Sequence, residues 1–178
     1  MGGVTTKIFG CYENDNPKRV LLIGEDDAGK TSLLFKLNSI EYKAEIPTIG
    51  LNLETIPYKN LKIVCHDFSV RDEYYRHWII GKETCGIIFM IDLTSYGRFD
   101  ETIDLLKEYL ERPELAGLPV LVMCNKIDIE AHISIERVKE AVRPMMENRK
   151  WKVIGTAVIK NKGIKESINW IRNALADN

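Results

Sequence analysis

The chain has 178 residues, a formal net charge of −1, 45% apolar residues and 29% charged residues. This length allows one well-buried domain, and the composition is typical of a soluble globular protein. The near-neutral charge gives no indication of a nucleic-acid partner, and the longest apolar run, residues 86–91, is too short to span a membrane.

The first predicted unit is a strand, a loop and a helix. Residues 19–23 are apolar and predict a buried strand, and residues 32–37 predict a helix. Residues 24–31 between them match G-x-x-x-x-G-K-T, a phosphate-binding loop. Its glycines let backbone N–H groups face phosphate oxygens, and the helix N-terminus adds partial positive charge. The alternative is an ordinary glycine-rich turn that exposes a lysine.

Two residues of this loop have a specific predicted role toward a nucleoside triphosphate. Lys30 is expected to reach the β- and γ-phosphates, and the Thr31 hydroxyl is expected to bind Mg²⁺. The residues predicted to surround the phosphates are Gly24, Asp26, Asp27, Ala28, Gly29, Lys30, Thr31 and Ser32.

Apolar runs and helical patterns alternate along the rest of the chain. The further predicted strands are residues 51–58, 61–66, 85–92, 120–124 and 151–156, with a tight turn at Lys59-Asn60. The further predicted helices are residues 98–110, 135–147 and 164–175, with Ser134 as the N-cap of the second. This alternation predicts an α/β fold with a mostly parallel sheet, helices on both faces and one antiparallel pair. Ligands of such sheets bind at the carboxyl ends of the strands.

The four cysteines are Cys11, Cys65, Cys85 and Cys124, and they show no CxxC spacing. This pattern predicts thiols in a reducing cytosol. Oxidised pairs and a zinc site are weaker alternatives.

A base-recognition motif, Asn125-Lys126-Ile127-Asp128, follows the predicted strand 120–124. A carboxylate at Asp128 can accept hydrogen bonds from N1–H and the exocyclic amine of guanine, a donor pair that adenine lacks. Asn125 can connect this loop to the phosphate loop, and the Lys126 stem can lie along the base. Residues 156–158 end the last strand, where the N–H of Ala157 or Val158 is expected to contact the guanine carbonyl.

Residues 47–55, Pro-Thr-Ile-Gly-Leu-Asn-Leu-Glu-Thr, follow the first helix. Thr48 could offer its hydroxyl to Mg²⁺ and its N–H to the γ-phosphate. Together with residues 24–31, residues 125–128 and the N-terminal Met-Gly, this stretch resembles the ADP-ribosylation factor (Arf/Arl) family of small GTPases in the Ras superfamily. The resemblance covers essentially the whole chain, and PTIGxNxET is specific to that subfamily.

This resemblance implies a P-loop G domain over residues 18–178, with a six-stranded, mostly parallel sheet and about five helices. It implies GDP/GTP switching in membrane traffic, with Mg²⁺ as cofactor. The implied partners are an exchange factor, a GTPase-activating protein and effectors, and the protein is expected to be monomeric. The implied location is the cytoplasm, peripheral on intracellular membranes such as the Golgi.

Residues 1–17 are predicted to form a separate N-terminal segment. Residues 1–6 match M-G-x-x-x-[ST], the N-myristoylation pattern on Gly2. Apolar side chains within residues 4–12 fall on one helical face and could form a second membrane contact. The alternative is a disordered start that contains a glycine by chance.

The second switch departs from the family pattern W-D-x-G-G-Q, because residues 66–71 are His-Asp-Phe-Ser-Val-Arg. Asp67 is retained and can hold Mg²⁺ through water. Val70 replaces the glycine whose N–H meets the γ-phosphate, and Arg71 replaces the glutamine that orients the attacking water. Valine restricts the backbone and arginine cannot accept a hydrogen bond.

These two changes predict nucleotide binding with slow intrinsic hydrolysis. Arg71 is then a doubtful catalytic residue, which could only stabilise phosphate charge. One alternative is a non-hydrolysing GTP-binding scaffold. Another is a P-loop kinase, which would need acceptor-binding and lid residues that we do not find in the sequence.

Overall fold

A single six-stranded sheet forms the centre of the molecule. The computed structural model describes residues 17–41, 53–58, 60–66 and 83–176. The strands are β1 (Lys18–Gly24), β2 (Leu53–Tyr58), β3 (Leu61–His66), β4 (Thr84–Asp92), β5 (Val120–Asn125) and β6 (Trp151–Gly155), in the spatial order β2-β3-β1-β4-β5-β6. β2 is antiparallel to β3, and all other neighbours are parallel. The predicted six-stranded, mostly parallel sheet is confirmed.

Helices cover both faces of this sheet. The described ranges contain four α-helices, α1 (Lys30–Glu41), α2 (Phe99–Leu110), α3 (Ile135–Val142) and α4 (Ile164–Ala176), against about five predicted. The buried side chains of α1 and α4 belong to one apolar core, and those of α2 and α3 belong to the other. The sheet is therefore the middle layer of an α/β sandwich, as the alternation of patterns indicates.

Burial on both faces explains why the strands are continuously apolar. In β1, Val20 and Leu22 point into the core under α1 and α4, while Leu21 and Ile23 point into the opposite core. All four side chains are fully buried. Alternate side chains of a strand face opposite sides of its sheet, so a strand covered on both sides needs apolar residues at every position.

Short polar segments connect these elements as the sequence predicts. Tyr58 pairs with Leu61, so a two-residue turn joins β2 to β3, and Asn60 in that turn has a left-handed φ of 62°. Asparagine tolerates this conformation better than most residues. The Ser134 side chain accepts a hydrogen bond from the N–H of Arg137, which confirms it as the N-cap of α3.

The helix predicted over residues 135–147 is wrong in its second half. α3 ends at Val142, and a short 3₁₀ turn, Arg143–Met145, follows. Pro144 has no N–H to donate to the helical ladder, and its ring would clash with the preceding turn of an α-helix. The apolar periodicity that continues to Met146 suggested a longer helix than this proline permits.

Cys65, Cys85 and Cys124 are thiols rather than disulfides in the structure. Burial raises the pKa of the Cys124 thiol to about 12, so this side chain stays protonated at neutral pH. Within the described ranges, no helix is long and apolar enough to cross a bilayer.

Candidate functional site

The phosphate loop turns sharply between β1 and α1, directly against the ends of two other strands. Gly24 has a φ of 150°, and a Cβ there would lie 2.2 Å from the carbonyl oxygen of Met90 in β4. Gly29 has a φ of 99°, and a Cβ there would lie 2.4 Å from Nδ2 of Asn125. Both positions therefore require glycine, for conformation and for space. This close packing fixes the loop on β4 and β5.

Lys30 is folded back along this loop. Its Nζ donates to the carbonyl oxygens of Gly24 (2.9 Å) and Glu25 (2.8 Å), and the residue is only 7% exposed. An ammonium group has three donors, so these two contacts leave one for an anion. Lys30 also begins α1, whose first-turn N–H groups have no acceptor within the helix. The two features together make a site for phosphate oxygens.

Asn125 links this phosphate loop to the base-recognition motif. The residue ends β5 and is 4% exposed. Its Nδ2 donates to the carbonyl oxygen of Ala28 at 2.8 Å, and its Oδ1 accepts from the N–H of Val158 at 3.1 Å. The Thr156 hydroxyl donates to the same Oδ1 at 3.4 Å. One buried amide thus holds together three segments that are far apart in sequence.

The N–H groups that the sequence assigns to the guanine carbonyl both donate within the protein. The N–H of Ala157 donates to the carbonyl oxygen of Lys162 at 3.1 Å, and that of Val158 donates to Asn125. A guanine carbonyl would have to share one of these donors. The role of Ala157 and Val158 toward the base therefore stays a prediction.

The two charged residues of the base-recognition motif have ionic partners. Lys126, which has a left-handed φ of 67°, donates from Nζ to Oδ2 of Asp92 at 2.7 Å. The Asp128 side chain is 24% exposed, and its Oδ2 lies 3.4 Å from Nζ of Lys160. Asp128 therefore presents a carboxylate to the solvent-accessible side of the site, where it can meet an incoming base.

Asp92, at the end of β4, is a site residue that the sequence motifs did not identify. Its carboxylate accepts from the N–H (2.9 Å) and hydroxyl (2.7 Å) of Thr94 and from the Ser95 hydroxyl (3.2 Å), besides Lys126. Burial alone would raise the pKa of Asp92, but the hydrogen bonds from Lys126 and Thr94 hold this pKa below its usual value. Asp92 is therefore ionised and can fix Lys126. The only signal in the sequence is an acid that ends an apolar strand.

A cavity of about 450 Å³ lies where these segments meet, a size typical of small-molecule sites. A second hollow of about 380 Å³ adjoins it along the phosphate loop, and the two share Asp27, Gly29 and Ser32. The larger cavity is also lined by Asp92, Ser95, Arg98, Asn125, Lys126, Asp128, Val158 and Ile159. The smaller one is also lined by Asp26, Lys30 and Thr31.

The structure therefore brings together the phosphate-binding residues and the base-recognition residues that the sequence predicts. The remaining predicted site residues, Gly2, Thr48, Asp67, Val70 and Arg71, lie outside the described residues. The N-terminal segment with residues 4–12 lies outside them as well, and its division from the G domain at residue 17 stays a prediction.

The Thr31 hydroxyl could bind a Mg²⁺ ion whose other ligands come from outside the protein. Thr31 is exposed at the start of α1 and lines the smaller hollow, and its hydroxyl oxygen is the kind of hard ligand that Mg²⁺ prefers. In the part of the chain that the structure describes, no three His, Cys, Asp or Glu side chains are grouped to hold a metal ion. A bound Mg²⁺ would accordingly need phosphate oxygens and water for the rest of its coordination shell.

Comparison with known proteins agrees with this geometry. The sequence profile of the ADP-ribosylation factor family matches residues 5–175. ADP-ribosylation factor K of Dictyostelium discoideum is 35% identical over 174 residues, which cover 96% of this chain and 92% of that protein. ADP-ribosylation factor 3 of Arabidopsis thaliana is 30% identical over 177 residues, which cover 98% of this chain and 97% of that protein.

The matches extend over nearly the full length of both partners, and the phosphate loop and the base-recognition motif lie at the strand ends where the fold needs them. The chain belongs to the ADP-ribosylation factor family of small GTPases.

Proposed function

We propose that this protein is a guanine nucleotide switch of intracellular membranes that hydrolyses GTP slowly without a partner. Nucleotide binding is supported by the cavity that the phosphate loop and the base-recognition motif line together. Asn125 joins the two segments through its contact with Ala28. A phosphate site and a base site held at a fixed separation select a nucleotide over either part alone.

In this proposal, each residue acts on a defined part of the nucleotide. Lys30 and the first-turn N–H groups of α1 bind the phosphates, and Asp128 accepts the two donors of the guanine edge. Thr31, Thr48 and Asp67 would hold Mg²⁺, the last through water, and the ion would supply neutralisation of phosphate charge. Water attacks the γ-phosphorus as the bond to the β–γ bridging oxygen breaks, so that GDP leaves, inorganic phosphate and a proton are released, and no covalent intermediate with the protein forms.

A second candidate function is that of a scaffold that binds GTP and never hydrolyses it. The substitutions at Val70 and Arg71 favour it, because the usual contact to the γ-phosphate and the usual orienting group for water are both replaced. In either case, an exchange factor and effectors are the expected partners. A GTPase-activating protein is expected only for the switch.

Membrane attachment is part of the same proposal. Gly2 would carry a myristoyl chain, and the apolar face within residues 4–12 would supply a second contact. One myristoyl chain alone binds a bilayer only marginally, with a constant of about 10⁴ M⁻¹. Reversible attachment to intracellular membranes, the Golgi among them, would follow from exposure or sequestration of this segment.

Replacement of Val70 by glycine and Arg71 by glutamine should accelerate hydrolysis. We expect purified protein loaded with GTP to retain it, and the double variant to hydrolyse it at least about tenfold faster in single turnover, because a water-orienting acceptor returns. Arg172→Gln, an exposed change on α4, is the control and should leave the rate unchanged. Equal rates in the wild-type protein and the double variant would contradict slow hydrolysis by this cause.

Asp128→Asn should weaken guanine nucleotide binding roughly a hundredfold or more, because the amide replaces one of two acceptors with a donor. Equilibrium titration with fluorescent GDP, with ATP as competitor, measures this loss. Glu130→Gln, an exposed change two residues along the same loop, is the matched control. If Asp128→Asn binds GDP as tightly as that control, Asp128 does not contact the base.

Asp27→Asn should tighten nucleotide binding by about threefold, with a larger gain for GTP than for GDP and at low salt. Asp27 lines both cavities at a left-handed φ of 62°, so its carboxylate lies beside the predicted phosphates. Asparagine tolerates the same φ and removes only the charge. Titrations at two salt concentrations, with exposed Asp100→Asn as control, measure the effect. An unchanged affinity would place the carboxylate away from the phosphates.

Gly2→Ala should abolish acylation and membrane association. The protein is co-expressed with an N-myristoyltransferase, its mass is measured, and its sedimentation with liposomes is compared with that of the variant. We expect a myristoyl mass increment and co-sedimentation for the wild-type protein only, because the modification requires an N-terminal glycine. An unmodified wild-type N-terminus would remove this part of the proposal.

A further inference from the structure

Glu25 is a buried acid inside the phosphate loop, and no motif assigns a role to it. We propose that Glu25 is a positioning residue that holds the phosphate loop and the base-recognition motif in one arrangement. This inference rests on the guanine nucleotide binding proposed above. Glu25 would not touch the nucleotide; it would act through Lys30, Asp92 and Arg98.

The Glu25 carboxylate is attached to two elements outside its own loop. Oε1 accepts a hydrogen bond from the backbone N–H of Asp92, at the end of β4, at 3.3 Å. Oε2 lies 3.6 Å from Nε of Arg98, directly before α2, and the Arg98 carbonyl oxygen accepts from the Thr102 hydroxyl of α2 at 2.9 Å. These contacts fasten the phosphate loop to β4 and to the start of α2.

The backbone of Glu25 acts on the phosphate side of the site. Its carbonyl oxygen accepts from Nζ of Lys30 at 2.8 Å. The carboxylate and the carbonyl belong to one residue, so the anchor on β4 and Arg98 also fixes an acceptor that orients Lys30. A loss of the anchor would let this acceptor shift and would displace the ammonium from the phosphates.

Asp92 carries the same connection to the base side. Its N–H donates to Glu25, while its carboxylate accepts from Nζ of Lys126 in the base-recognition motif. We call Glu25, Asp92, Arg98 and Lys126 the charge cluster. It holds two acids and two bases, and three of its members line the nucleotide cavity. Glu25 is the member behind the cavity wall.

The burial of Glu25 costs stability and therefore needs an explanation. The residue is 8% exposed. Burial and the nearby Asp92 charge raise the pKa of Glu25 above its usual value of 4.5, although contacts with Thr102, Asp92 and Arg98 oppose this increase. A buried ion pair contributes little net stability compared with an apolar pair of similar shape. Stability alone therefore does not explain a charged residue at this position, whereas a role in holding the site in one arrangement does.

The central experiment compares the dissociation of fluorescent GDP from the wild-type protein and from Glu25→Gln in Mg²⁺ buffer. Glutamine keeps the size of the side chain and loses the ionic contact to Arg98. We expect dissociation to be about threefold faster, because the phosphate loop loses an ion pair with a half-exposed arginine. Glu101→Gln, an exposed change in the first turn of α2, is the matched control and should dissociate GDP at the wild-type rate.

Arg98→Gln tests the same contact from its other partner. The Arg98 side chain is 48% exposed, so this variant is expected to fold even if Glu25→Gln does not. We expect a similar acceleration, and we expect the double variant to be no faster than either single variant, because both remove one interaction. Independent, multiplicative effects in the double variant would overturn the coupling between these residues.

The pH dependence separates positioning from a general loss of structure. Because the pKa of Glu25 is raised, this carboxyl takes up a proton at a higher pH than an ordinary glutamate does as the pH falls, and it then loses its pair with Arg98. GDP dissociation from the wild-type protein should then accelerate, while Glu25→Gln should be nearly flat. The charged groups that act on the Glu25 carboxylate are Asp92 of β4 and Arg98, whereas the Lys30 ammonium contacts the backbone carbonyl of Glu25. The lowered pKa of Asp92 keeps that residue ionised where Glu25 takes up its proton.

The outcomes distinguish this inference from the function on which it rests. A wild-type protein that binds no guanine nucleotide would overturn the proposed function. A wild-type protein that binds GDP tightly, with Glu25→Gln and Arg98→Gln both at the rate of Glu101→Gln, would overturn only the role of Glu25. Parallel pH profiles for the wild-type protein and Glu25→Gln would also overturn it.

Discussion

The nucleotide site depends on the buried side-chain amide of Asn125. This amide donates to the phosphate loop at Ala28 and accepts from Val158, so it connects the ends of β1, β5 and β6 at one point. Both contacts replace hydrogen bonds to water, and a missing partner would leave a buried polar group unsatisfied. Gly29 has no side chain at this point, because a Cβ would collide with the amide nitrogen. The same contacts of Asn125 therefore fix both the conformation of the phosphate loop and the position of the base-recognition motif.

The charge cluster gives this arrangement a second, electrostatic connection. Asp92 is held ionised by Lys126 and Thr94, whereas burial works against the ionisation of Glu25. Asp92 at the end of β4 and Glu25 of the phosphate loop bring two acids together, and Arg98 and Lys126 supply two bases beside them. The formal charges of these four side chains sum to zero, so the cluster adds little net repulsion toward an anionic ligand. Asp27 is different, because it is exposed and lines both hollows of the site.

The sequence predicts those parts of the site whose residues have a fixed spacing and a strand before them. The phosphate loop, residues 125–128 and their meeting at one edge of the sheet all follow from this rule. It does not predict the contact of Glu25 with Asp92, because these residues are 67 positions apart, Glu25 stands at an unspecified position of the phosphate-loop motif, and Asp92 belongs to no motif. The sequence pattern also predicts too long a helix α3. The apolar periodicity continues past Pro144, but an α-helical backbone cannot continue through this proline. Local patterns thus identify what binds, while the contacts that align the binding groups depend on the tertiary fold.

In the proposed function, nucleotide binding and GTP hydrolysis depend on different segments of the chain. The groups predicted to recognise phosphate and base are in residues 24–32 and 125–128, supported by buried contacts among β1, β4 and β5. The substitutions at Val70 and Arg71 belong to another segment, which lies outside the described residues. In the proposed function, a change in that segment alters the rate of GTP hydrolysis, while the phosphate loop and residues 125–128 keep their own connection through Asn125. A slow switch and a permanent GTP-bound scaffold would then share the same cavity and differ only in the segment that positions water.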